Sequence, residues 1–347
     1  MSSPDIVVLG NANVDLTTYV SHAPSEGETV IGHDFSIGMG GKGANQAVAA
    51  SRAGSEVAFI GRRGDDSFGE MIQTALGSEG LHLQHLLEVP GPSGNATIYV
   101  EDNGANRIAV FLGASATLSA SDAKEAIESM KGASFFVSQL EVQQDIVLAG
   151  LETAGECGMV RVLNTAPYST LREGITANTD WLVANEVEME GLLGDIGLTA
   201  SVDIPVDELV AALPEWSEQV GCNLVVTLGS KGAVGCARGE GVFFAEAPSV
   251  SAVDTVGAGD CFVGYFVSLM SQGHSWQGAL RGAVHAASES VQKPGAQSSY
   301  PAKAESERFQ VLAGQRAEQG RGRAARSASK AILRDTNGHF SKLLGTI

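Results

Sequence analysis

The sequence predicts an α/β fold: a doubly wound, mostly parallel sheet flanked by helices, with a small β-sheet lid. Two observations lead there. Short apolar runs rich in β-branched residues alternate with longer segments of helical spacing, the pattern of a parallel sheet covered on both faces. A hairpin signal interrupts that alternation. A chain of 347 residues, 44% hydrophobic, is long enough to bury the core such a sheet needs.

The strand-like runs are 6–10, 57–60, 135–139, 160–164, 181–184 and 224–228, each short and apolar. Between them, 45–53, 67–79, 121–130, 145–156, 187–193 and 206–220 have helical spacing or helix-forming composition, and 261–270 is a further apolar helix. Segments 96–100 and 107–112 flank Asn103-Gly104, a strong hairpin turn, and 28–37 carries a strand pattern close to Gly38. These pieces, about 14–38 and 95–112, are expected to form the lid, an edge hairpin being the alternative. No period of 20 to 50 residues repeats, which excludes a solenoid.

The net charge of −18 argues against a nucleic-acid partner. No apolar run reaches the roughly 18 residues of a membrane span, and no signal-type segment opens the chain, so the expectation is a soluble, cytoplasmic protein without a membrane partner. Four scattered cysteines, Cys157, Cys222, Cys236 and Cys261, lack zinc-site spacing and read as reduced core thiols. From Ala302 onward nine Lys or Arg face four Asp or Glu, so a compositionally distinct body over 1–311 is expected to precede a basic, loosely ordered extension over 312–347.

Four places concentrate chemistry. Asp254-Thr255-Val256-Gly257-Ala258-Gly259-Asp260 opens an apolar helix, so Gly257, Ala258 and Gly259 would point free amides outward as an anion site. Asp260 there is either an ordinary first-turn acid or a general base beside those amides. Gly38-Met39-Gly40-Gly41-Lys42-Gly43-Ala44-Asn45 lacks the Ser or Thr of a Walker A loop and the spacing of a dinucleotide fingerprint. Its glycines let backbone approach a small ligand, and Lys42 and Asn45 can bond hydroxyls or phosphate; alone it could be a turn. Asn13 and Asp15 follow the first strand at its carboxyl end and share a side if extended, or form Asx turns in a loop. Asn185-Glu186-Val187-Glu188 follows another strand and is either a helix cap or a cluster for Mg²⁺ waters and phosphate.

Together these residues resemble the ribokinase family of sugar kinases (the PfkB superfamily) over 5–311. Gly40-Gly41-Lys42-Gly43-Ala44-Asn45-Gln46-Ala47 and Asp254 to Asp260 occur in the family's order and spacing. Asn185 to Glu188 looks like its NxxE motif, Thr227-Leu228-Gly229-Ser230-Lys231-Gly232 like its nucleotide strand and turn, and Gly295-Ala296-Gln297-Ser298-Ser299 like its adenine and cation loop. The resemblance implies transfer of the ATP γ-phosphoryl group to the primary hydroxyl of D-ribose, giving ribose 5-phosphate and ADP, by a homodimer joined through its lids. Residue by residue it implies Asp260 as base and Gly257, Ala258 and Gly259 as anion hole. Asn13, Asp15, Gly41, Lys42, Asn45 and Glu141 would line the sugar pocket, and Asn185, Thr227, Gly229, Gly259 and His285 the ATP site. Glu188 would hold Mg²⁺ through water, and Asp254, Val256, Ser290, Lys293, Gly295 and Ser299 a K⁺ ion. Deoxyribose, fructose and adenosine kinases share the terminal signature and remain alternatives, as does a catalytically silent binding protein. A NAD-dependent enzyme lacks its fingerprint. Thr165 stands where the family commonly has Pro, and the basic tail has no family counterpart.

Overall fold

The structure, a computed structural model, describes residues 3–198 and 201–315. Strand β1 (Ile6–Leu9) is followed after three residues by β2 (Asn13–Val20) and then β3 (Asp34–Gly40). Next come α1 (Lys42–Arg52), β4 (Val57–Gly64), α2 (Ser67–Ser78), β5 (His82–Val89), β6 (Gly94–Glu101) and β7 (Asn106–Phe111). The alternation resumes with α3 (Ala120–Ser129), β8 (Phe135–Ser138), α4 (Gln144–Glu156), β9 (Val160–Asn164), β10 (Trp181–Asn185), α5 (Glu186–Asp195), α6 (Val206–Val220) and β11 (Asn223–Thr227). Strands β12 (Gly232–Ala237) and β13 (Gly241–Glu246) precede helices α7 (Ala258–Ser271), α8 (Trp276–Ser290) and α9 (Glu307–Gly314).

Nine strands form the main sheet in the order β13-β12-β11-β10-β9-β8-β1-β4-β5, parallel from β5 to β11 and antiparallel in β12 and β13. The alternation of β1 shows why it lies at the centre. Ile6 and Val8 pack into the core beneath α1, α7 and α8, whereas Val7 and Leu9 pack into the opposite core beneath α3 and α4. A strand apolar on both faces must be buried on both. From β1 the chain first builds β4 and β5 on one side and later crosses to β8 on the other, so the sheet reverses at β1, where open α/β sheets form their ligand crevice.

The second sheet, β3-β2-β6-β7, covers that end of the body as expected of a lid. The Asn103-Gly104 turn closes its β6–β7 hairpin: Gly104 has φ 84°, and Ala105 N donates to Asn103 Oδ1 at 2.7 Å. One boundary differs from expectation and one alternative is decided. The strand expected over 28–37 is Asp34–Gly40, because Gly38 and Gly40 pair with Asp15 and Asn13 and stay in the ladder. Asn13 and Asp15 are not in a loop but in β2, on one face of the lid.

Helices α1 and α7 start at Lys42 and Ala258, earlier than their apolar runs indicate. Their caps are glycines at φ 88° (Gly41) and 74° (Gly257), conformations L side chains rarely adopt. Helix α9 carries the body past residue 311: Ala313 is buried, and a methyl on Gly278 of α8 would strike its carbonyl. The boundary expected at 311 therefore moves to at least Gly314, and residues 316–347 of the basic extension lie outside the described residues. All four cysteines are free, but Cys157 is only half-buried and is not a core thiol. Among the described residues no helix is long and apolar enough to cross a membrane.

Candidate active site

A cleft of about 220 Å³ opens at the carboxyl ends of β9, β10 and β11, with Lys42, Asn185, Glu188, Thr227, Gly259 and Asp260 among its lining residues. A broader hollow at the opposite, amino ends of the same strands surrounds the Arg161–Asp180 ion pair and contains none of the expected site residues.

Asp260 lies in the first turn of α7 and is buried, 6% exposed. Its Oδ2 accepts from Asn45 Nδ2 at 3.0 Å and its Oδ1 from Gln46 Nε2 at 2.9 Å. Because Gly257 caps α7 without a side-chain bond, the amides of Gly259 and Asp260 make no backbone hydrogen bond and lie at the positive end of the helix. A methyl on Gly257 would meet Tyr300 Oη at 2.6 Å, and Tyr300 itself donates to the Gly257 carbonyl at 3.0 Å. A methyl on Gly259 meets nothing within 4 Å, because that position faces open space. Gly257 is thus held by the protein, and Gly259 is left clear beside Asp260.

The loop before α1 is packed backbone against backbone. A methyl on Gly41 would fall 2.9 Å from Ala12 Cα and one on Gly43 2.7 Å from Gly10 Cα. This close approach fixes Lys42, whose amide donates to Glu141 Oε2 at 2.9 Å. Burial works against the Lys42 ammonium, but Asp260, Glu141 and Glu188 outweigh it and hold the group above the ordinary lysine range. Under the lid, the Asp15 carboxylate lies against Gly40 of the neighbouring strand. Burial, with Glu141 adding, pushes its carboxyl up to about 6. Asn13 is 3% exposed and its Oδ1 has no partner among the described residues. Of these residues Lys42 also lines the cleft, where its ammonium feels both Asp260 and Glu141.

On the far side, Asn185 and Thr227 are neighbours in the β10–β11 register. Asn185 caps α5 in a reciprocal box: its Oδ1 accepts from Glu188 N at 2.9 Å while Glu188 Oε2 accepts from Asn185 N at 3.0 Å. The capping reading holds, and both residues also line the cleft. Asp254 ties two loops together, its Oδ1 accepting from Val256 N at 3.0 Å and its Oδ2 from Gly295 N at 2.8 Å. Ser290 and Ser299 are buried behind those loops, whereas Val256 and Lys293 are exposed.

Two of the five residues expected at the ATP site stand apart from the cleft lining. Gly229 follows Thr227 at the start of a short 3₁₀ turn, at φ 52°. His285 lies on α8, half-buried, pulled below the usual histidine range by burial and then by Arg281. Conversely, Gln46, Gln139, Asn164 and Gln297 join Asp260 and Asn45 in one hydrogen-bonded group that motif reading did not single out for a role. A glutamine in the middle of a helix's apolar face was the available signal.

The sequence pattern described as pfkB family carbohydrate kinase matches residues 3–303. The chain belongs to this family. It is 39% identical to a deoxyribokinase of Salmonella typhimurium over 304 residues, 86% of this chain and 95% of that protein. It is 34% identical to a ribokinase of Schizosaccharomyces pombe, over 86% of this chain and 95% of that protein. In three dimensions it is similar to an Arabidopsis thaliana ribokinase solved with ribose and ATP, at TM-score 0.79 and 29% identity, covering 91% of this chain and all of the other. The family assignment makes this chain a carbohydrate kinase of ribokinase-like fold, as the resemblance implied.

Proposed function

We propose that this carbohydrate kinase transfers the γ-phosphoryl group of ATP to the primary hydroxyl of D-ribose, with Asp260 as general base. The observation that carries the reading is Asp260 itself: a buried carboxylate beside unbonded helix amides, in the wall of the cleft. The ribose–ATP complex of the Arabidopsis relative supports the pair of substrates. Asn13, Asp15 and Glu141, with Gly41, Lys42 and Asn45, would bind sugar hydroxyls; Asn45 is already bonded to Asp260 and Gln297, so its second N–H is what it can offer. Asp260 would take the hydroxyl proton as the oxygen attacks, while the amides of Gly257 and Gly259, that of Ala258 on leaving its 3.3 Å bond to the Thr255 carbonyl, and the Lys42 ammonium stabilise charge on the phosphoryl group in transfer. Asn185, Thr227 and Gly229 would border the nucleotide, with His285 farther out on α8.

The residues present fit the two cations implied by the family. Glu188 lines the cleft and, although bonded in its capping box, keeps free lone pairs toward Mg²⁺-bound water; Mg²⁺ would neutralise phosphate charge there. Asp254, with one hydrogen bond on each oxygen, and the oxygen-rich loops at Val256, Ser290, Lys293, Gly295 and Ser299 suit K⁺. The exposed apolar side chains of the lid, Phe35, Ile37, Ile108, Val110 and Phe111, support a homodimer through that sheet.

A second reading, 2-deoxyribose as the preferred sugar, is favoured by the 39% identity to a deoxyribokinase. ADP release measured with ribose, 2-deoxyribose, fructose and adenosine decides between them. Higher kcat/KM on 2-deoxyribose would replace ribose in the proposal, and no turnover on any of them would end it. Asp260→Ala should lower kcat by about 10² to 10⁴-fold. Asp260→Asn is the less clean test, because it sets an NH₂ against the donor amide of Asn45 or Gln46.

A further inference from the structure

Gln46 is 1% exposed, on the face of α1 that packs toward α7 and the sheet. An aliphatic side chain would serve packing there, and a buried amide is costly unless its groups are bonded. All of them are. Gln46 Nε2 donates to Asp260 Oδ1 at 2.9 Å and to Asn164 Oδ1 at 3.0 Å, and Gln46 Oε1 accepts from Gln139 Nε2 at 2.7 Å.

The direction of this chain of bonds is set from its far end. Asn164 Nδ2 lies 3.0 Å from the carbonyl oxygen of Val183, which can only accept. The amide nitrogen of Asn164 must therefore face Val183, which leaves its Oδ1 facing Gln46. Gln46 in turn must present its NH₂ on that side, and the same NH₂ meets Asp260. A backbone carbonyl two bonds away thus guarantees that the group touching Asp260 Oδ1 is a donor. Asn45 supplies the matching donor on Oδ2, oriented by Gln297.

We infer that Gln46, oriented by Asn164 and the Val183 carbonyl, is a positioning residue for the reaction: it holds Asp260 as a hydrogen-bond acceptor, with the carboxylate's remaining lone pairs turned to the cleft. The inference rests on the reading of Asp260 as base. It adds that a residue not facing the cleft determines how well that base works. The titratable groups that feel Asp260 are Lys42 on α1, Cys261 next to it on α7 and Tyr300; Glu141 and Glu188 act in turn on Lys42, and Arg52 and Asp15 on Tyr300. None of them forms the hydrogen bond that Gln46 supplies to Oδ1.

The test compares the full-length protein with Gln46→Met, Gln46→Glu, Asn164→Leu and Asp260→Ala, by steady-state kinetics across pH and by thermal melting. Gln46→Met removes the donor and should lower kcat about tenfold, leave the sugar KM within about threefold and move the acidic limb of the kcat profile upward by about one pH unit. Gln46→Glu is closer in shape but presents an acceptor to Asp260, so both effects should be larger than for Met. Asn164→Leu leaves Gln46 free to turn over and should move the limb the same way by a smaller amount. A packing role predicts the opposite order, with Gln46→Glu or Met affecting melting temperature but not the limb. Wild-type kcat and an unmoved limb in both Gln46 variants, beside an inactive Asp260→Ala, would overturn the inference and leave the base in place. An active Asp260→Ala would overturn the base reading itself.

Discussion

Asp15→Asn should make the ligand-free protein more stable at neutral pH while impairing its use of sugar. Asp15 accepts no hydrogen bond from the described residues, and burial with Glu141 raises its carboxyl from the ordinary 3.8 to about 6. The folded protein therefore binds a proton more tightly than the unfolded chain. The resulting destabilisation is fully present above pH 6, falls away as pH drops through 6, and vanishes below 3.8. About two pH units correspond to about 3 kcal/mol at most, and partial solvent access reduces this to roughly 1 to 1.5 kcal/mol. For a body of this size that is a gain of roughly 2 to 5 °C in Tm. Differential scanning calorimetry of wild type and variant at pH 8 and pH 5 measures it, with the larger gap expected at pH 8. The opposite change is expected in kinetics, since the variant loses an acceptor for two hydroxyls, each loss costing roughly 1 to 3 kcal/mol in sugar kcat/KM. A Tm gap that is equal at the two pH values, or a variant less stable at pH 8, would refute the electrostatic reasoning.

Gly257→Ala should lower both Tm and activity, because it forces a left-handed conformation and a methyl against Tyr300 Oη, roughly 1 to 3 kcal/mol of strain. Gly259→Ala should instead leave Tm within about 2 °C yet reduce kcat, since its methyl enters open space beside Asp260, and an equal Tm loss in both variants would contradict this. Replacing a bulky organic cation by potassium at equal ionic strength should raise turnover through the Asp254–Gly295 loops, and Asp254→Ala should abolish the response. Truncation after Gln315 should leave turnover within about twofold, roughly 0.4 kcal/mol, whereas truncation after Val311 removes buried Ala313 and should lower Tm.

Much of the fold and of the site was legible along the chain, because the signals were local. The runs 160–164 and 206–220 match β9 and α6 residue for residue, since apolar periodicity and helix composition are properties of consecutive residues. The glycine turns that start α1 and α7 were legible for the same reason, their glycines standing side by side in the sequence. Strands β12 and β13 were not, because Gly232-Ala233-Val234-Gly235-Cys236-Ala237 is too small-residue-rich to read as a strand. It becomes one where Trp276, 44 positions from the strand's start by chain but adjacent in space, fills the room over Gly235.

The sequence by itself thus determined the α/β alternation, the family and the groups that could do chemistry. Only the tertiary structure decided which of them meet. It put Asp15 in a lid strand over Gly40, left His285 outside the cleft lining and carried the body through α9. It also joined Gln46, 214 positions away by chain, to Asp260 and fixed the direction of that bond from Val183. The reason is physical: a propensity is written in neighbouring residues, whereas the satisfaction of a buried polar atom depends on partners brought from distant parts of the chain.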